Sequence, residues 1–173
     1  VYGKSAIIGY SGHGLVVADA ALASGISLGY YCEKFQTSIN PFQLAYLGFE
    51  GDEIFEGWDN NFQFILGIGD NLIRSQIALK ILAKDKQILN VIHPDTSISK
   101  YSSVGLGNFI SRNVSINVLA NIGDFCILNT GCIIEHECLI GNGAHIGPGA
   151  VLAGNVNIGD FSFVGANSVI KQG

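Results

Sequence analysis

The sequence is poor in charge and lacks the features that define several classes of protein. Lys and Arg together number 9 of 173 residues, and the net charge is −5. Binding to nucleic acid requires clustered basic side chains that neutralise phosphates, so we do not expect DNA or RNA as a partner. No run of about 18 apolar residues is free of Gly or polar breaks, so the sequence predicts no membrane span. The amino terminus shows no basic segment leading into an apolar one, and we expect a cytoplasmic protein.

Cysteine is also scarce, with four residues at positions 32, 126, 132 and 138. The last three recur every six residues, which resembles a run of metal ligands. A disulfide requires two Cα atoms within about 7 Å, whereas six extended residues cover about 20 Å. We therefore expect no disulfide and no metal, and we interpret the cysteines as small buried thiols of a reducing compartment.

The sequence does have a strict period of six. From Ile92 to Ile170 every sixth residue is Ile, Val or Leu, fourteen times in succession. The residue four positions further on is mostly small, and Gly often follows the apolar residue, where a tight corner leaves no room for a Cβ. Such a period fits neither a helix nor one long strand. It is typical of a β-helix, in which each unit adds a short strand and a corner and the coils share one core.

The residues before the repeat follow a different pattern. A strand ends at Gly9 in a Gly-rich loop, residues 9–14. Further strands are predicted at 26–32, 62–68 and 87–92, with helices at 15–23 and 73–82 and a short helix over 42–47. Alternating strands and helices indicate a Rossmann-like α/β domain with a parallel sheet. Because Pro interrupts regular structure, we place the boundary near His93-Pro94, which gives an α/β domain over 1–91 and a β-helix over 92–173.

The Gly-rich loop is a candidate site for a phosphate. A glycine turn between a first strand and a helix binds anions such as those of a nucleotide. The loop has the pattern GxxGxG rather than GxGxxG, so it favours NAD only weakly; Glu33 follows the second strand, where an acid that binds ribose is expected. An NAD-dependent oxidoreductase and a turn that binds no ligand both stay open.

A second candidate site lies in the repeat, where Glu135 and Glu137 flank His136. Histidine is the side chain best suited to accept a proton near neutral pH, and a neighbouring carboxylate fixes its tautomer. His145 follows nine residues later, about half a coil around the solenoid. A surface histidine without a function fits the same pattern.

Residues 129–159, together with residues 9–14, resemble the NeuD/PglD family of bacterial sugar acetyltransferases. The most specific parts are Ile134-Glu135-His136-Glu137 and Ala153-Gly154-Asn155-Val156, and the resemblance spans nearly the whole chain. It implies a nucleotide-sugar-binding α/β domain followed by a left-handed β-helix that forms a homotrimer and binds acetyl-CoA. The left hand comes from the resemblance alone, since parallel crossovers are otherwise right-handed. The flat, charge-poor faces of the solenoid also indicate burial against copies of the chain.

The resemblance further implies the residues of the site. It makes His136 the general base and Glu137 its orienting acid, with Asn129 and His145 lining the same site. Gly154, next to Ala153, would offer its backbone N–H to the acetyl oxygen of acetyl-CoA. Around the nucleotide sugar the resemblance places Gly12, His13, Gly14, Glu33, Gly69 and Asn71.

The reaction implied is transfer of an acetyl group from acetyl-CoA to an amino group of a UDP-4-amino-sugar, in glycan biosynthesis. The thioester is already activated, so no metal is needed. O-acetylation of sialic acid or a related sugar is the alternative, and a non-catalytic trimeric scaffold is another. The sequence departs from the family in reading Cys32-Glu33 where paired aspartates are frequent. Family chains also continue for several more hexads, so we expect part of the CoA groove to be missing.

Overall fold

The structure, a computed structural model, describes residues 4–173, and its first part is a five-stranded parallel sheet with helices on both faces. The elements are β1 Lys4–Ile8, α1 Gly12–Ala23, β2 Leu28–Cys32, β3 Ala45–Gly48, α2 Glu56–Asp59, β4 Phe62–Leu66, α3 Asn71–Leu82 and β5 Gln87–Ile88. The strands are ordered β3-β2-β1-β4-β5. Side chains of a strand alternate between faces, so Ile7 packs with the buried residues of α1, whereas Ala6 and Ile8 pack with those of α3.

The predicted helices at 15–23 and 73–82 are confirmed, and each begins two or three residues earlier, at Gly12 and Asn71. The second and fourth strands are two residues shorter than expected. The predicted helix over 42–47 is wrong, because this segment contains strand β3, which pairs with β2. The Asn40 side chain bonds both main-chain groups of Leu44 and holds the chain in a turn, and Tyr46 then packs beside Tyr31 in the neighbouring strand.

Residues 91–170 form fourteen two-residue strands in three parallel sheets, which is the left-handed β-helix that was expected. The predicted strand 87–92 divides at the junction: Gln87–Ile88 pairs with β4, and Val91–Ile92 begins the solenoid. The strands are β6 Val91–Ile92, β7 Ser97–Ile98, β8 Ser103–Val104, β9 Phe109–Ile110, β10 Ser115–Ile116, β11 Asn121–Ile122, β12 Ile127–Leu128, β13 Ile133–Ile134, β14 Leu139–Ile140, β15 His145–Ile146, β16 Val151–Leu152, β17 Asn157–Ile158, β18 Phe163–Val164 and β19 Val169–Ile170.

The three sheets are the faces of a triangular prism. Face 1 contains β6, β9, β12, β15 and β18; face 2 contains β7, β10, β13, β16 and β19; face 3 contains β8, β11, β14 and β17. The apolar residue of each hexad is the second residue of its strand and points into the core, as Ile134 and Ile146 do. The small position is buried too: Cys126, Cys132 and Cys138 have no exposed surface. Burial raises the pKa of the Cys126 thiol to about 11, so this thiol is unreactive near neutral pH.

Each corner of the prism requires one residue in the left-handed backbone region. Every sixth residue from position 107 to position 167 has a positive φ: Gly107, Asn113, Leu119, Phe125, Gly131, Glu137, Gly143, Gly149, Asn155, Phe161 and Asn167. The positive φ of Glu137 is therefore a property of the solenoid corner and not a strain specific to a catalytic site. The Gly that follows the apolar residue avoids a clash with the next coil, because a Cβ at Gly141 would overlap Asp160.

The α/β domain packs on the amino-terminal coils of face 1. Outward side chains of this face, Phe109 and Ile127, join the same hydrophobic cluster as Val17 of α1. On the other side of the contact, Arg74 of α3 is 1% exposed. Its guanidinium donates to the main-chain oxygens of Ile68, Gly69, Phe125 and Gly143 and to the Asn71 side chain. The bonds of this buried guanidinium are thus divided between the α/β domain and the β-helix, and they fix one domain against the other.

Candidate functional site

A cleft of about 220 Å³ runs along the carboxyl ends of the parallel strands. Open α/β sheets bind ligands at this edge. The lining residues follow the strand order from β3 to β4: Phe49 and Glu50, then Cys32 and Glu33, then Ile8, Gly9, Ser11 and His13, and finally Gly67, Ile68 and Gly69. Of the residues predicted around a nucleotide sugar, the cleft therefore brings together His13, Glu33 and Gly69.

The glycines of the loop have different roles. A Cβ at Gly14 would overlap the Gly9 carbonyl, so the absence of a side chain there lets α1 approach β1 closely. Gly12 has open space around it and lines a neighbouring groove of about 450 Å³. The groove and the cleft share Ser11 and Glu33. Because Glu33 accepts a 2.7 Å bond from the Tyr10 N–H, its carboxylate is oriented between the two cavities.

His13 joins the cleft to the β-helix. Its ring centroid lies 6.2 Å from that of His145, which points outward from face 1. Burial, followed by the positive charge of Arg74, lowers the pKa of His13 to about 4 and that of His145 to about 4. The Asn129 amide is 3.2 Å from His145 Nε2, whereas His13 Nε2 is buried without a hydrogen-bond partner in residues 4–173. Both imidazoles are therefore neutral at physiological pH, and one of them has an unused polar atom.

His136 and Glu137 form a second cluster, at the corner between faces 2 and 3. Glu137 Oε2 is 3.0 Å from His136 Nδ1, which leaves Nε2 directed away from the carboxylate. Gly154 lies one coil further along, and a Cβ there would overlap the His136 ring. A cleft of about 450 Å³ is lined by His136, Gly154, Asn155, Gln172 and Gly173. In the described part of the chain the Gly154 N–H donates no hydrogen bond, so it is available to a ligand.

The two clusters lie on opposite sides of the prism. His145 is on face 1, and the corner that carries His136 joins faces 2 and 3. The contacts of His145 are with Asn129, His13 and Phe163 and do not include His136. Within one chain, the structure therefore does not bring Asn129 and His145 together with His136, although the resemblance placed all three in one site.

Two other predicted residues use their polar groups inside the fold. The Asn71 amide donates to the main-chain oxygens of Phe161 and Ser162 and accepts from Arg74. The Ala153 N–H donates to Ile170, and its carbonyl accepts from the Cys138 thiol. Contacts of these two residues with a nucleotide sugar or acetyl-CoA stay predictions.

Sequence reasoning missed Arg74 and Glu50. Glu50 is 6% exposed and lines the cleft at the end of β3. Burial raises its pKa, against the opposing effects of its own N–H and of Lys80. The sequence contains a signal for Glu50, since an acid shortly after a strand lies at the ligand-binding edge, but the helix predicted over 42–47 hides the strand that precedes it. Arg74 lies among apolar residues of a helix, and nothing nearby in the sequence marks its partners.

Among residues 4–173, no helix combines the length and apolar character needed to cross a bilayer. The same residues contain no group of three or more His, Cys, Asp or Glu side chains arranged to hold a metal ion.

Two family models match separate parts of the chain. Residues 4–81 match the family model of the PglD N-terminal domain, and residues 137–172 match that of bacterial transferase hexapeptide repeats. A GDP-perosamine N-acetyltransferase of Escherichia coli O157:H7 is 32% identical over 110 residues. That match covers 64% of this chain and 50% of the relative, so the chain spans about half the length of this curated protein.

Solved structures agree over nearly the whole chain. The acetyltransferase domain of PglB from Neisseria gonorrhoeae FA1090, in complex with acetyl coenzyme A, is 30% identical with a TM-score of 0.86. This match covers 99% of the chain and 83% of that domain. PerB from Caulobacter crescentus, in complex with CoA and GDP-perosamine, is 26% identical with a TM-score of 0.84, over 99% of this chain and 90% of PerB.

Proposed function

Because the chain belongs to the NeuD/PglD family of bacterial sugar acetyltransferases, we propose that it transfers an acetyl group from acetyl-CoA to an amino group of a nucleotide-linked sugar. The observation that carries this proposal is that the His136 ring, paired with Glu137, lies against Gly154. One cleft therefore contains a proton acceptor and the Gly154 N–H, which donates to no other described residue. The named relatives are N-acetyltransferases of perosamine and the PglB domain that binds acetyl coenzyme A. They favour N-acetylation over O-acetylation.

The chemistry follows from the positions of these groups. The Glu137 carboxylate holds the proton on Nδ1 of His136, so Nε2 carries the lone pair that accepts a proton. The sugar amine attacks the thioester carbon, and Nε2 takes the proton that the amine loses. The Gly154 N–H donates to the oxyanion that develops, a type of contact that contributes about 2.7–4 kcal/mol in acyl transfer. Collapse of the intermediate breaks the C–S bond, and the proton on His136 passes to the CoA sulfur.

The nucleotide sugar binds in the cleft of the α/β domain. A diphosphate fits the amino end of α1, where unpaired N–H groups and the helix dipole attract an anion. The sugar then lies toward His13 and Gly69, because this end of the cleft is next to the β-helix. The sequence favoured a UDP-linked 4-amino sugar, and two of the relatives act on or bind GDP-perosamine.

A complete site requires more than one copy of the chain. The sugar cleft lies beside His145 and face 1, whereas the base His136 lies on the opposite corner. A threefold homotrimer places the His136 corner of one copy against the His145 face of its neighbour. Exposed apolar side chains on faces 2 and 3, such as Val169 and Leu139, are suited to such contacts. Sedimentation at micromolar concentration tests the assembly, and a monomer would contradict it.

The activity is tested by release of free CoA. The chain is incubated with acetyl-CoA and with UDP-linked and GDP-linked 4-amino sugars, and sialic acid serves as the hydroxyl acceptor. We expect CoA release with an amino sugar and none with sialic acid, and mass spectrometry should locate the acetyl group on nitrogen. Release only with sialic acid would contradict N-acetylation, and no release with any acceptor would contradict the proposed function.

A further inference from the structure

The far end of the cleft holds the largely buried carboxylate of Glu50. Glu50 follows strand β3 at the edge of the sheet, and only 6% of its surface is exposed. No other residue of the described chain donates a hydrogen bond to this carboxylate or forms a salt bridge with it. Lys80 approaches, but its ammonium donates to the main-chain oxygen of Glu50 instead. The main-chain N–H of Glu50 itself donates to the carboxylate. Because a carboxylate has sites for several donors, acceptor sites are left for a ligand in the cleft.

The direction of the nucleotide sugar in the cleft decides which part meets Glu50. This step depends on the proposed function, because the sugar must reach an acetyl group at the β-helix. The sugar therefore occupies the end with His13 and Gly69, and the nucleoside extends across the sheet toward β2 and β3. Glu33, at the end of β2, then lies where α/β folds bind a ribose hydroxyl. Glu50, one strand further, faces the nucleobase.

We propose that Glu50 accepts the N1–H and 2-amino hydrogens of guanine and makes the site selective for GDP-linked sugars. An ionised carboxylate is an acceptor only, with two oxygens that bind two parallel N–H donors. Guanine presents two such donors side by side. Uracil presents one N–H between two carbonyl oxygens, which a carboxylate repels. A site with a buried polar group discriminates strongly against a ligand that leaves the group unpaired.

The test compares the binding of GDP, IDP and UDP to the full chain by calorimetry. IDP is GDP without the 2-amino group, so the pair isolates one hydrogen bond. Loss of one hydrogen bond to a charged group corresponds to about a tenfold to hundredfold weaker affinity. We expect GDP to bind more tightly than IDP by such a factor, and UDP to bind more weakly than GDP. Equal affinities for GDP and IDP, or a preference for UDP, would overturn the proposal.

Two variants assign the effect to Glu50. Glu50→Gln keeps the shape of the side chain but replaces one of the two acceptor oxygens by a donor, so GDP should bind more weakly and the GDP/IDP difference should shrink. UDP should bind no more weakly than before, because the charge that repels its carbonyl oxygens is removed. Glu53→Gln makes the same replacement at an exposed acid of the same loop and should leave all three affinities unchanged. A GDP/IDP difference of unchanged size in Glu50→Gln would show that another group contacts the base.

The outcomes separate this inference from the proposed function. Selective GDP binding without acetyl transfer to any amino sugar would support the role of Glu50 and contradict the acetyltransferase. Acetyl transfer to UDP-linked sugars with no preference for GDP would support the acetyltransferase and contradict the role of Glu50. Binding of none of the three nucleotides would overturn both.

Discussion

The His136 imidazole lies against Gly154, its neighbour one coil along the solenoid, so closely that a β-carbon at Gly154 would overlap the ring. Gly154→Ala should therefore displace the imidazole while leaving the backbone N–H in place. A displacement of about 1 Å costs on the order of a hundredfold in rate, and we expect a loss of kcat of that size. The rate of CoA release measures it.

Gly29→Ala is the matched control for this substitution. A Cβ at Gly29 has no neighbour within 4 Å, so this variant should retain full activity. If Gly154→Ala kept the wild-type rate, the position of the His136 ring would be irrelevant to catalysis.

Replacing His136 itself separates chemistry from folding. About half of its side-chain surface is exposed, and its contacts are with Glu137 and Gly154, outside the hydrophobic core. His136→Ala should therefore leave the thermal midpoint nearly unchanged and lower the rate of transfer by about 10²–10⁴, the contribution of a general base. A variant with more than about a tenth of the wild-type rate would be incompatible with proton transfer to His136.

The solenoid follows closely from the sequence, because its core positions recur every six residues and each strand pairs only with strands 18 residues away. The edge strand at Ala45–Gly48 could not be predicted from its own residues, since contacts with Asn40 and Tyr31, outside the segment, determine it. The candidate site shows the same difference between local and distant contacts. His136 and Glu137 are neighbours in sequence, but Arg74 binds carbonyls at 125 and 143 that no local pattern connects to it. The spacing of nine residues from His136 to His145, half of an 18-residue coil, already indicated opposite sides of the coil.

Arg74 should contribute strongly to the stability of the folded chain. Arg74→Met removes the donors of four main-chain carbonyls, of which those of Phe125 and Gly143 make buried bonds. Each buried acceptor without a partner costs about 1–3 kcal/mol, so we expect the free energy of unfolding to fall by about 2–6 kcal/mol. Urea denaturation measures the change. Lys84→Met, which replaces an exposed cation, should have little effect; equal stability of the two variants would contradict the role of Arg74.

Acid should weaken the fold through His13 and His145. The folded-state pKa of each is about 4, below the unfolded value of about 6.5. Between these values the unfolded chain binds more protons, so these two groups lower the free energy of unfolding as the pH falls from about 6.5 to about 4. The raised pKa of Glu50 acts in the opposite direction. Urea midpoints at several pH values should show less acid sensitivity in a His13→Gln/His145→Gln variant, and equal sensitivity would contradict burial of neutral imidazoles.

The position of His136 opposite His145 leads to a complementation experiment. His136→Ala and His145→Ala should each be nearly inactive alone, since each removes one half of every site. When both variants are expressed together in one cell, mixed trimers contain interfaces in which an intact His136 faces an intact His145 of the neighbour. Random mixing in equal amounts makes about a quarter of the interfaces intact, so about a quarter of the wild-type rate should return. Different affinity tags on the two variants allow mixed trimers to be purified. If purified mixed trimers stayed inactive, both histidines would have to act from the same chain, and the shared site would be wrong.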